Sequence, residues 1–168
     1  MYREDDTSDA EDLYGKTKFL GEVAEKNALT LRTSFIGREL VGHVSLLEWF
    51  LSNVGGRVTG YQKSIYSGVT TNHLAEVVGY TIDRHPELHG LYQVASEPIS
   101  KFGLLCLVRD AYGLDIEIEA VEGKAADRSM DGSKFRKATG YAPPAWTALV
   151  KQLAEDPTPY KDWRSTYA

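Results

Sequence analysis

The stretch from Asp12 to Gly37 runs from an apolar stripe at helical spacing straight into an alternating, β-rich segment. Leu13, Phe19, Leu20, Val23 and Ala24 belong to the stripe, with Asp9 or Asp12 placed to cap it, and the pattern predicts a helix to about Asn27. Ala28 to Phe35 predicts a strand, ended by Gly37. A helix feeding a strand is half of a β-α-β crossover, the unit that joins parallel strands. No strand precedes the helix in these residues. The expectation is therefore a chain that begins part-way through a domain.

The rest of the chain continues as mixed α/β. Helices are expected over Ser45 to Ser52, from a cap at Asn72 to before Pro86, from Ser100 to Tyr112 with Gly113 closing, over Ser133 to Thr139, and over Ala145 to Glu155. Short strands are expected at Arg57 to Tyr61, Ser64 to Thr71, Gly90 to Val94, and around Ile116 and Ile118.

A chain of 168 residues, 42% hydrophobic and 26% charged, is ordinary for one folded domain. The net charge of −5 argues against a broad nucleic-acid surface, but one or two placed cations suffice for a pyrophosphate. The single cysteine, Cys106, sits in Leu104-Leu105-Cys106-Leu107-Val108 and reads as a buried structural thiol rather than a reactive one. The acidic opening, Met1 to Asp12, is expected to be loose unless something packs on it, and it has no signal-peptide pattern. No window reaches the apolar length of a membrane span, so a cytoplasmic setting is expected.

Tyr14 and Lys18 carry the clearest chemistry. Residues four apart share a helical face, so this spacing brings a phenol beside an ammonium. A free phenol titrates near about 10, too high to cycle well at neutral pH, and an adjacent cation lowers it. Such a tyrosine acts as general acid when a carbonyl is reduced and as general base when an alcohol is oxidised. The spacing alone also fits a plain surface helix with a solvated lysine.

Its surroundings narrow the choice. The run Tyr14-Gly15-Lys16-Thr17-Lys18-Phe19-Leu20-Gly21-Glu22 resembles the active-site helix of extended short-chain dehydrogenases/reductases, the sugar-nucleotide branch in particular. Tyr2-Arg3-Glu4-Asp5-Asp6 is similar to the acidic stretch before that helix, and Leu31-Arg32-Thr33-Ser34-Phe35-Ile36-Gly37 to the strand and turn after it. The resemblance is strongest over residues 2–37 and looser at Asn72-His73-Leu74-Ala75, Gly90-Leu91-Tyr92-Gln93-Val94 and Asp127 to Tyr141. The dTDP-4-dehydrorhamnose reductase subgroup looks nearest.

The resemblance implies the C-terminal part of an extended Rossmann-type α/β fold: the last strands and helices of the parallel sheet plus a small α/β substrate-binding lobe. Residues 10–55 would be the remnant of the dinucleotide-binding fold, and residues 56–168 the substrate-binding lobe. It implies an NAD(P) cofactor and a dTDP- or UDP-linked nucleotide-sugar substrate. Tyr14 would be the acid/base, and Lys18 its partner on the nicotinamide ribose. Thr33, Ser34 and Phe35 would pass the nicotinamide end of the cofactor; an ordinary strand end is the other reading. Arg128 and Arg57 would face the substrate pyrophosphate, to which a guanidinium fork is suited; each is otherwise a surface arginine.

Two departures bear on activity. The fifteen glycines include no Gly-x-x-Gly-x-x-Gly or Gly-x-Gly-x-x-Gly turn, which needs glycine for close backbone approach to a pyrophosphate. The family's catalytic Ser or Thr lies well before the tyrosine, and Thr7 and Ser8 are too close to Tyr14 to match it. A missing N-terminal half, or a separate chain, would have to supply both, and this chain alone is expected to be inactive. The alternatives are an epimerase or dehydratase fragment, a non-catalytic domain that binds a nucleotide sugar or a partner protein, or a family member turned structural sensor. The exposed half-sheet predicts self-association, as a homo-oligomer.

His85 and His89 are four apart, but Pro86 and Gly90 make a turn of them, so no metal is expected. His73 reads as a capping or loop residue, Lys134 and Arg136 as a solvated helix face, and Trp146 as a packing anchor. The tail Tyr160-Lys161-Asp162-Trp163-Arg164 reads as docked on the body or as a partner contact.

Overall fold

The computed structural model describes residues 1–23, 25–42, 44–160 and 162–163. Ala24 of the apolar stripe and Lys161 and Arg164 of the tail lie outside the described residues.

Helix α1 spans Leu13–Leu20. Asp12 is its cap, its Oδ1 accepting from the Gly15 N–H at 2.7 Å. The helix stops well short of Asn27. Gly21 N–H closes it onto the carbonyls of Thr17 and Lys18. The Thr30 hydroxyl then accepts from Val23 N–H at 3.1 Å and donates to Val23 O at 2.8 Å, which turns the chain back toward the sheet.

The expected strand over Ala28 to Phe35 is two strands. Strand β1, Leu29–Arg32, pairs in parallel with β6, Gly90–Gln93. Strand β2, Phe35–Ile36, pairs in parallel with β5, Val69–Thr70. Between them the Thr33 hydroxyl bonds Val94 O at 2.9 Å, and Ser34 O accepts from Val69 N–H at 3.0 Å. Gly68 makes that approach possible, because a β-carbon there would fall 2.1 Å from Ser34 O.

Strand β3, Arg57–Tyr61, pairs in parallel with β8, Glu117–Val121. Strand β4, Ser64–Tyr66, lies between antiparallel β7, Ile99–Ser100, and parallel β9, Ala126–Asp127. The remaining helices are α2 Leu46–Leu51, α3 Thr71–Arg84, α4 Lys101–Tyr112, α5 Ser133–Thr139 and α6 Trp146–Ala154. Helix α4 has the expected signals: Ser100 Oγ accepts from Gly103 N–H at 3.0 Å, and Gly113 closes it at φ +61°. Helix α3 is capped by Thr70, not by Asn72, since the Thr70 Oγ1 accepts from His73 N–H.

Two clusters make the core. In the first, Leu47 and Phe50 of α2 meet Leu104, Leu105 and Val108 of α4 and Trp146, Leu149, Val150 and Leu153 of α6. In the second, Phe135 of α5 packs with Val69, Val77 and Val94, and its ring meets Tyr92 and Tyr141 edge-on at 6.2 and 5.5 Å. Helix α1 buries no residue in either. Cys106 is half-buried rather than fully buried, on α4 beside the sealed Leu104 and Leu105, and what burial it has pushes its thiol up. No helix among the described residues is long and apolar enough to cross a membrane.

Candidate functional site

The acidic opening is held, not loose. Tyr2 forms a parallel bridge with Met130: its N–H donates to Ser129 O and its carbonyl accepts from Asp131 N–H, both at 2.8 Å. Glu4 Oε1 accepts from Gln93 N–H at 2.8 Å. The opening segment is thereby laid between α1, the ends of β1 and β6, and the loop after β9. Together they enclose a cavity of about 260 Å³.

That cavity brings Lys18 and Arg128 together, two of the residues singled out from sequence. The Arg128 backbone N–H donates to Ile65 O at 3.1 Å. Beside it the Asp127 carboxylate accepts from the Ser129 hydroxyl at 2.5 Å and its N–H at 2.9 Å, which folds the turn that carries Arg128. Those bonds hold the Asp127 carboxyl below its ordinary range. Tyr2, also in the wall, donates to Asp9 Oδ2 at 2.6 Å, and its phenol is pushed up as a result.

The cavity charges sort by pairing. Arg32 is closed on Glu22 through two bonds of 2.8 Å, a bidentate pair. Arg3 lies 3.7 Å from Asp131. No ion pair among the described residues engages Lys18 or Arg128. Their charges are the ones available to an anion in the cavity.

Tyr14 and Lys18 do stand together on α1, with Lys18 Nζ 5.5 Å from the centre of the Tyr14 ring. Tyr14 does not line the cavity, however, and is 74% exposed. Thr33 and Ser34 use their polar groups inside the fold: the Thr33 hydroxyl on Val94 O, the Ser34 carbonyl on Val69 N–H. Phe35 is 60% exposed. Arg57 stands apart from the cavity, its guanidinium 2.8 Å from Glu117 Oε1, its partner in register on β8.

Arg3, Gln93 and Met130, given no role by the sequence, line the cavity, as do Thr7 and Ser8, which the sequence sets aside as catalytic hydroxyls. Gln93 is in register with Arg32 across parallel β1 and β6, which puts both side chains on one face of the sheet. Strand pairing was the signal that would have found it.

The other marked residues have structural places. His73 is a buried residue of the first turn of α3, not a loop residue, with Nε2 2.8 Å from the Tyr141 hydroxyl and Nδ1 3.1 Å from Glu76 Oε2. His85 sits edge-on to Tyr80, and His89 Nδ1 lies 3.0 Å from Glu87 O. Lys134 is exposed, as expected, and also donates to Leu91 O at 2.7 Å and lies over the Tyr92 ring. Arg136 is half-buried, 3.9 Å from Asp131. Trp146 is buried, and its indole donates to Glu97 O at 2.7 Å. Tyr160 of the tail lies on the body, donating to Asp156 Oδ2 at 2.9 Å beneath the Arg38 guanidinium.

Comparison with solved structures identifies the architecture. A hypothetical dTDP-4-dehydrorhamnose reductase from Sulfolobus tokodaii matches 86% of this chain at 23% identity and a TM-score of 0.67. The corresponding enzyme from Clostridium acetobutylicum matches 90% at 18% identity and a TM-score of 0.70. The chain has the fold of the C-terminal part of these enzymes. It spans about half their length, 55% and 58% respectively. A UDP-glucose-4-epimerase from Stenotrophomonas maltophila, solved with NAD and a formylated UDP-arabinopyranose, shares this architecture over 99% of the chain at 14% identity and a TM-score of 0.67. No family model and no curated protein matches the sequence. Relative to the dTDP-4-dehydrorhamnose reductase architecture, the expected class is right: a mixed α/β chain with small parallel sheets, corresponding to the C-terminal part of a Rossmann-like short-chain dehydrogenase/reductase fold.

Proposed function

We propose that this chain is the substrate-side half of an NAD(P)-dependent nucleotide-sugar oxidoreductase of the dTDP-4-dehydrorhamnose reductase kind. The observation that carries the reading is the cavity shared by Lys18 and Arg128, two cations far apart in sequence and outside every ion pair among the described residues. The Arg128 fork suits the pyrophosphate of a dTDP- or UDP-linked sugar. Lys18 holds positive charge beside the Tyr14 phenol, whose proton would pass to or from the sugar oxygen. Residues 10–55 act as the remnant of the dinucleotide-binding fold and residues 56–168 as the substrate lobe, with β6 of the second stretch paired to β1 of the first.

NAD(P) fits this chain only in part. Tyr14, Lys18 and the exposed Phe35 offer surface for the nicotinamide end, whereas the sequence holds no glycine turn for the pyrophosphate. Bound, the cofactor gives or takes the hydride. The exposure of Tyr14 and of α1 agrees with a further segment, or a separate chain, covering them and completing the cofactor site. A cytoplasmic setting belongs to the same reading.

The same exposure supports a second reading, a non-catalytic nucleotide-sugar-binding domain. The likeness to a UDP-glucose-4-epimerase keeps epimerisation and dehydration beside reduction as the chemistry of the completed enzyme.

Isothermal titration of the 168-residue chain tests this. It should bind dTDP-glucose or UDP-glucose, lose at least about tenfold in affinity on Arg128→Met, and show no affinity for NADPH. Arg128→Met binding as well as the unsubstituted chain overturns the pyrophosphate assignment. Tight binding of NADPH overturns the division of labour.

A further inference from the structure

Gln93 ends β6 and is fully buried, at 0% exposure, in the lining of the Lys18 and Arg128 cavity. Its backbone N–H is satisfied by Glu4 at 2.8 Å. Its side-chain amide is not: neither Nε2 nor Oε1 has a hydrogen-bond partner among the described residues. Buried polar groups are almost always bonded, and an orphaned amide in a folded chain calls for a reason. Gln93 is one of the residues lining the cavity, and its amide atoms lie just behind that lining, closed to solvent. Register with Arg32, itself closed on Glu22, sets them on the sheet face that the cavity covers.

We infer that Gln93 is a specificity-determining residue that reads two neighbouring hydroxyls of the sugar. This rests on the nucleotide-sugar reading above. An amide N–H donates to one hydroxyl oxygen while the amide oxygen accepts from the next, so a vicinal diol satisfies both groups at once. Between a pyrophosphate held by Arg128 and a reacting oxygen near Lys18, the ligand crosses the cavity as its hexose ring. A single pair of hydroxyls in this position exchanges the cost of an unpaired amide for two bonds, which discriminates strongly against a sugar without them.

The test compares the unsubstituted chain with Gln93→Met, near in shape and without polar atoms, using UDP-glucose and UDP as probes. Gln93→Met should bind UDP-glucose about tenfold more weakly and UDP unchanged, with a thermal midpoint equal or higher, because an unpaired amide has been removed. Unchanged affinity for UDP-glucose, or an equal loss for UDP, overturns the inference. So does a fall in the midpoint with binding intact, which would mark the amide as a structural group. Should Gln93→Met not fold, the unsubstituted chain decides. Its glutamines are Gln62, Gln93 and Gln152, so selective 15N labelling resolves the Gln93 side-chain amide, which must shift on adding UDP-glucose and stay put on adding UDP. A chain that binds UDP-glucose through Arg128 and ignores Gln93 overturns this inference alone. One that binds no nucleotide sugar overturns the parent reading with it.

Discussion

The Arg38 guanidinium donates from Nε to Glu48 Oε1 at 2.6 Å, and so ties the loop after β2 to helix α2. Glu48 is only 3% exposed, and the same oxygen also accepts from Glu39 N–H at 3.1 Å. Taking the guanidinium from so enclosed a carboxylate breaks one side of a buried pair, a change that typically costs about 3–5 kcal/mol. Arg38→Met should therefore lower the unfolding free energy by about 3 kcal/mol in urea titration. A loss under about 1 kcal/mol would show that the pair contributes little.

Asp156 gathers four bonds at the end of α6: from Asn72 at 3.0 Å, from Thr158 N–H and hydroxyl at 3.1 and 2.7 Å, and from Tyr160 at 2.9 Å. Led by the Asn72 bond, these hold its carboxyl down at about 2, below the ordinary 3.8. A group whose folded value is depressed stabilises the fold when ionised. Its contribution is complete above about pH 4 and is lost as pH falls toward about 2. Asp156→Asn should thus melt below the unsubstituted chain at pH 7, with the gap closing between about pH 4 and 2. A gap constant across that window would rule out the carboxylate as its source.

Phe135 is fully buried between Tyr92 and Tyr141. Phe135→Ala removes a ring from the centre of the second core cluster and should cost about 3–5 kcal/mol. It also loosens α5 on β6, the strand that ends at Gln93. Chemical denaturation measures the first effect. A cost near about 1 kcal/mol would mean that the site collapses to fill the gap.

The sequence told most where a signal is local. Ser100 and Gly113 bracket α4 through a hydroxyl cap and a left-handed glycine, both readable from residue type. Helix α1 was overread because Val23 and Ala24 continue the apolar stripe, while the bond that ends the segment comes from Thr30 of the next strand. The two-residue strands β7 and β9 went unseen, since partners distant in sequence define them. The site divides in the same way. Tyr14, Lys18 and Arg128 stood out by chemistry and context. Gln93 and Arg3 become interesting only once register and the bridge from Tyr2 to Met130 bring them to the cavity. Arg57 shows the converse: its guanidinium is spent on Glu117.

Leu13, Leu20, Phe35, Val41 and Val44 are large apolar residues left in solvent, Leu20 at 80% and Val44 at 92% exposure. Apolar surface of this extent favours association. The chain should form dimers or larger species in sedimentation velocity at high concentration. Leu20→Asp with Phe35→Lys should shift it toward monomer and leave the thermal midpoint unchanged. A concentration-independent monomer without substitutions would remove the basis for this prediction.

Helix α1 is fixed at its N-terminus by the Asp12 cap and by the close fit of Gly15, where an added β-carbon would lie 2.6 Å from Ala10 Cβ. With no side chain sunk into either core cluster, its backbone can open while the sheets stay shut. Amide hydrogen exchange along Leu13 to Leu20 should then run far faster than in α4 or α6 and slow sharply when another surface closes over it. The helix that carries Tyr14 and Lys18 thus takes little of its order from the core, and the rest would be lent by whatever it meets.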